Sequence, residues 1–140
     1  MKTKVAGLIL CLIVILYSCQ PKTAEQATPA PTLVFRFEVD SAGNIVEEDV
    51  KSQLKELAVR ISKTADRVML YSYTEKMNSA DSSMQIASQQ AYAAKNWMYQ
   101  ASKERIYYSV GIAIKGFENP VDSAAPESKI NRRIEFQFLE

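Results

Sequence analysis

Hydrophobic and polar positions alternate along this chain in blocks, and each block has a different period. The first is a continuous apolar run from Val5 to Leu16, preceded by Lys2 and Lys4 and containing no acid. Its 12 residues fall short of the ~20 needed to span a bilayer, so residues 1–18 read as a secretory signal peptide, with a permanent transmembrane helix as the alternative. Residues 20–31 are rich in Pro, Ala, Thr and Gln, with no apolar side chain larger than Ala. They cannot bury enough surface to order themselves and read as a flexible tether.

From Thr32 onward the pattern is that of a packed domain, residues 32–140. Leu33, Phe35, Phe37 and Val39 alternate with Val34, Arg36 and Glu38, which predicts a strand with one buried face. Residues 40–44 read as a turn; it fails as a calcium loop because Ala42 and Ile45 occupy positions that need an oxygen ligand and a glycine. Val50, Leu54, Leu57, Ala58 and Ile61 recur at helical spacing, with acids at the front and Arg60 and Lys63 at the back, predicting a helix over 47–63.

A second strand follows at 68–73, apolar on both faces as in a covered sheet. Asn78, Ser79 and Asp81 are candidate caps for a second helix over 80–102, whose stripe is Met84, Ala87, Ala91, Ala94 and Met98. Residues 105–114 predict a third strand, 115–128 a polar loop and 130–138 a fourth strand. The order is β-α-β-α-β-β, an α+β domain of two layers with the helices on one four-stranded sheet.

Composition narrows the chemistry. The chain has no histidine, so Ser-His-Asp and Cys-His catalytic sets, an H-E-x-x-H zinc site and a histidine pH switch are all excluded. Lys plus Arg number 17 against 16 acids, a balance unsuited to a nucleic-acid partner. Gly111 and Gly116 have phosphate-loop spacing, but Phe117-Glu118 stands where Lys-Ser/Thr is required. No activated nucleophile or spaced carboxylate pair is identifiable, so the chain reads as a non-enzyme that needs no cofactor or metal.

The end of the apolar run, Leu16-Tyr17-Ser18-Cys19, resembles the lipobox of bacterial lipoproteins, with Tyr17 bulkier than the usual occupant. The resemblance implies cleavage before Cys19 and acylation of its thiol and new amino terminus, giving an outer-membrane lipid anchor. Cys11 would leave with the signal, so no disulfide remains. Loss of Lys2 and Lys4 leaves 15 basic against 16 acidic residues, giving no net attraction to an anionic surface. No acidic run follows Cys19, which favours the periplasmic face.

The folded part resembles the OmpA C-terminal domain family, which includes the peptidoglycan-associated lipoproteins. The likeness rests on Phe35-Arg36-Phe37 for the family's F-x-F, Ser72-Tyr73-Thr74-Glu75 for G-H-T-D, Ile86 to Ala91 for L-S-x-x-R-A, and Asn131-Arg132-Arg133-Ile134-Glu135 for N-R-R-V-E. Gly111 and Pro120 match later landmarks. The resemblance implies a domain that binds the diaminopimelate residue of the peptidoglycan stem peptide, tying the outer membrane to the wall. The site residues it implies are Thr74, Glu75, Gln90, Asn131 and Arg132.

In the family the pocket pairs an aspartate with an arginine; here Glu75 and Gln90 stand at those positions, so one charge is lost. A missing charge-assisted contact weakens binding by ~1.5–3 kcal/mol. Arg132 or Arg133 is the candidate substitute cation. The alternative is a divergent module of the cell envelope that binds other envelope proteins and no peptidoglycan.

Overall fold

The computed structural model describes residues 32–139 apart from 104 and 107. The signal peptide, Cys19 and the tether lie outside the described residues. Strand β1 is Thr32–Phe35, helix α1 Glu48–Thr64, β2 Arg67–Tyr73, α2 Ala80–Ala101, β3 Val110–Gly116 and β4 Arg133–Leu139, with a 3-10 turn at Lys129–Asn131 before β4. The strands form one sheet in the order β1-β4-β2-β3. β4 runs antiparallel to both β1 and β2, while β2 and β3 are parallel and joined through α2.

Both helices pack on the same face of the sheet, as the periodicities predict. Leu54, Ala58 and Ile61 of α1 and Ala87, Ala91, Ala94 and Met98 of α2 are fully buried against Val68, Leu70, Ile134 and Phe136. The small stripe lets α2 approach β2 closely enough for the buried Ser72 hydroxyl to donate to Ala87 O at 2.7 Å. Trp97 Nε1 donates to Lys51 O at 2.8 Å and ties the helices together.

Four boundaries differ from the pattern by more than one residue. The fourth strand begins at Arg133 rather than 130, because Lys129–Asn131 forms a 3-10 turn. β1 stops at Phe35 rather than Val39, because its partner runs out: Phe35 pairs with Ile134, and β4 begins one residue before that. Alternation persists without the ladder, so Phe37 remains buried and Val39 bridges to Ile45 across the turn. The third strand begins at Val110, not 105, since Arg105 N–H donates to Ser102 O and Ser109 N–H to Ile106 O, local bonds that a strand ladder does not make. It also runs on to Gly116, where φ is +58° and an added Cβ would lie 2.8 Å from Met84 Sδ. Met84 itself is 44 % exposed and leaves the core stripe it was assigned to.

β2 also departs from the covered-sheet expectation. Val68, Leu70 and Ser72 face the helices and are buried, whereas Met69 and Tyr71 lie on the open face and are half-buried.

Of the candidate caps, Ser79 takes the position: its hydroxyl accepts from Ser82 N–H at 3.1 Å at the start of α2. Ser79→Ala is expected to cost about 1 kcal/mol, and Asn78→Ala well under half of that, in urea unfolding.

Candidate functional site

The end of β2 carries the candidate residues into a junction between elements. Thr74 N–H donates to Gly116 O at 2.8 Å, and Lys76 N–H donates to Pro126 O at 2.8 Å. Glu75 is thereby clamped between the end of β3 and the loop that precedes β4. Glu47-Glu48-Asp49 at the start of α1 and Ser79 at the start of α2 lie toward this same pole of the domain, opposite the one where the chain enters at Thr32.

The Asn131-Arg132-Arg133 run divides its side chains three ways. Asn131, fully buried, accepts from Asp122 N–H at 2.9 Å and donates to Asp122 O, Ala125 O and Pro126 O, so it pins the loop. Arg132 donates from Nε to Glu75 Oε2 at 2.9 Å and from Nη2 to Glu75 Oε1, a two-pronged ion pair. Arg133 leaves on the other side of the extended chain, 4.0 Å over the Tyr73 ring, paired with Glu135 at 2.6 Å and donating to Asn119 O.

Glu75 is 6 % exposed, and Thr74 Oγ1 donates to its Oε2 at 2.7 Å. Burial opposes the charge, but the Arg132 fork and the Thr74 hydroxyl outweigh it and hold the carboxyl down at about 2. The same pairing raises the Arg132 pKa. The cluster is therefore a fixed zwitterion at neutral pH.

Arg132 also opens outward. With Arg36, Phe37, Glu38, Glu47 and Lys129 it lines a cleft of about 180 Å³. Across it Lys129 pairs with Glu38 at 2.5 Å, which lowers the Glu38 pKa. Both oxygens of Glu47 accept from Glu38 N–H at 3.0 Å. Three cations and two carboxylates line this cleft. A larger hollow of about 490 Å³, walled in part by Met77, Met84 and Phe117, lies past Lys76.

The structure thus brings together Thr74, Glu75 and Arg132, and sets Asn131 behind them as the loop clamp. Gln90, at 2 % exposure, is occupied differently: its Nε2 donates to Phe37 O at 3.1 Å, and its Oε1 has no partner among the described residues. Glu75 therefore takes its cation from the entrance of β4 and not from α2. Arg36, Glu38, Glu47 and Lys129 were missed by sequence reasoning. Arg36 had a signal, since a residue between two inward phenylalanines must point away from the core. Lys129 had none, because its position follows from a short 3-10 turn. Among the described residues no group of three His, Cys, Asp or Glu is placed to hold a metal.

Comparison of the fold with known structures decides its class. The domain is similar to the OmpA-like domain of FopA1 from Francisella tularensis, at 13 % identity over 78 % of this chain and 74 % of that one, with a TM-score of 0.61. The fold is OmpA-like. It is also similar to the peptidoglycan-associated lipoprotein from Burkholderia pseudomallei (16 % identity, 76 % and 89 % covered, TM-score 0.61). The C-terminal domain of Helicobacter pylori MotB is a third such neighbour (19 %, 77 % and 84 %, 0.59). No family model and no curated protein matches the chain. At these identities the OmpA-like likeness is one of fold, and the pocket must be argued from this chain's own residues.

Proposed function

We propose that this protein is a non-catalytic envelope lipoprotein whose OmpA-like domain, residues 32–140, binds the peptidoglycan stem peptide and tethers the outer membrane to the wall from its periplasmic face. In this reading residues 1–18 are removed as a signal, Cys19 is acylated and residues 20–31 form the tether. The observation that carries it is the buried Glu75–Arg132 pair opening on the Arg36–Lys129 cleft, at the pole away from Thr32. Arg132, Arg36 and Lys129 would take a ligand carboxylate, and Glu38 or Glu47 its ammonium. Support comes also from the similar fold of a peptidoglycan-associated lipoprotein.

Acyl chains contribute about 0.8 kcal/mol per buried methylene, and the tether has no apolar side chain larger than Ala to add, so stable anchoring at physiological salt would rest on Cys19. Cys19→Ala is expected to move the protein out of the membrane fraction or leave it as precursor. Intact mass without lipid on Cys19 would overturn the anchor. Co-sedimentation of the chain with purified sacculi tests the wall itself, and Lys129→Glu should reduce it.

One observation favours the second reading, an interaction module that leaves peptidoglycan unbound. Glu75 is already engaged by Arg132 and Thr74, Glu38 by Lys129 and Glu47 by Glu38 N–H, so an incoming ammonium must displace an existing contact at any of the three carboxylates. Wild-type chain that stays in the supernatant with sacculi but retains envelope proteins from crosslinked cells would establish it.

A further inference from the structure

The charges of this domain are unevenly divided between its two poles. At the pole where Thr32 enters stand the C-termini of both helices, the starts of β2 and β3 and the end of β4, as the pairings Thr32–Gln137, Arg67–Leu139 and Val68–Val110 require. That end carries Arg60, Lys63, Arg67, Lys103 and Arg105, all exposed. Against these five cations stand Asp66 and, from the sequence, Glu104 and Glu140.

None of the five pairs with an acid among the described residues, whereas the five ion pairs there, at Lys51, Lys115, Lys129, Arg132 and Arg133, all lie toward the opposite pole. Arg60 lies 4.7 Å over the Phe138 ring, which fixes it near the end of β4. Exposed apolar groups share the basic pole: Tyr108 is 93 % exposed and Leu139 42 %, close to Arg67 around a shallow hollow. A tyrosine and a leucine amid exposed cations suit the headgroup layer of a bilayer, where rings and alkyl groups enter the interface and cations meet lipid phosphate.

We infer that this basic pole docks on an anionic lipid surface and so holds the Glu75–Arg132 cleft facing away from the membrane. Chain length agrees with that occupant. The 12 residues between Cys19 and Thr32 have an r.m.s. span of roughly 20 Å, so a domain anchored at Cys19 keeps this pole within reach of its own bilayer. The near-neutral overall charge does not oppose docking, because attraction falls off within about a Debye length and only the facing pole is felt. The orientation rests on the acylation proposed above; the docking does not, and can be measured without it.

The hydrophobic core of the described residues runs from Phe35 to Phe138, so a chain of residues 20–140 retains it and lacks both Cys19 and the signal. This chain is floated with vesicles of neutral phosphatidylcholine, or of phosphatidylcholine with one-third phosphatidylglycerol, at low salt. Binding should be at least ~10-fold greater on the anionic vesicles and fall at physiological salt. Lys63→Glu with Arg67→Glu should reduce it about tenfold or more, and Tyr108→Ser should weaken it, each with unchanged circular dichroism. Lys76→Glu with Lys115→Glu at the far pole should leave binding intact. Equal binding to both vesicles, no binding at low salt, or equal losses from both charge reversals would overturn the inference. A positive result with unlipidated Cys19 in the native protein would retain docking and remove the anchor.

Discussion

Arg132→Ala should lower the unfolding free energy by about 3–5 kcal/mol at neutral pH, because it leaves a buried carboxylate without its counterion. Glu75 is 6 % exposed, and in the variant only Thr74 would still donate to it from a side chain. The sign of the pH dependence makes the cause identifiable. In the wild type the folded carboxyl sits at about 2 against an ordinary 4.5, so the pair's contribution is complete above about 4.5 and is lost as pH falls toward 2. The loss is on the order of 3 kcal/mol, from the ~1.4 kcal/mol carried by each pKa unit.

In Arg132→Ala the Thr74 hydroxyl and the local backbone are left against burial, so the carboxyl should rise from about 2 and acidification should cost the variant less stability than it costs the wild type. Arg132→Lys should fall between the two, since an ammonium cannot reproduce the fork. Urea unfolding of the three proteins at pH 7 and pH 3 checks this. A cost below about 1 kcal/mol, or the same acid limb in wild type and Arg132→Ala, would show that the pair contributes little.

Phe136→Ala should be comparably damaging, at about 3–5 kcal/mol, for a reason unconnected with charge. Phe136 is fully buried in the middle of β4, opposite Leu33 on one side and Leu70 on the other. Its ring meets Phe35 edge to face, with centroids 5.7 Å apart and planes at 88°. Truncation would leave a cavity within the buried cluster. Phe138→Ala, two residues on and only partly buried, should cost clearly less. Equal costs at the two positions in thermal or urea unfolding would contradict the placement of the core.

Elements with a strong period were legible in the sequence. The stripe Leu54-Leu57-Ala58-Ile61 can face only one way on a helix, and its boundaries moved by a single residue. The ends of β1 and β3 were not legible, because a strand stops where its neighbour does: β1 lacks a ladder beyond Phe35 although Phe37 continues its alternation. The candidate site was legible only where residues keep motif spacing. Thr74 and Glu75 are contiguous, but the pairing of Glu75 with Arg132 joins residues 57 apart, and Gln90 gives no sequence sign that its amide turns to Phe37 O. The cleft depends on Arg36, Glu38, Glu47 and Lys129 meeting through a turn, a helix start and a 3-10 turn, which no local pattern encodes.

Calorimetric titration of the domain with a stem peptide containing diaminopimelate tests the central claim most directly. The wild type should give single-site binding, and the same peptide with alanine in place of diaminopimelate should give none. Arg132→Lys should weaken binding by about one to two decades, from the ~1.5–3 kcal/mol of a charge-assisted contact. No heat from the wild type, or binding unchanged by both Arg132→Lys and Lys129→Glu, would contradict the assignment of this cleft to peptidoglycan.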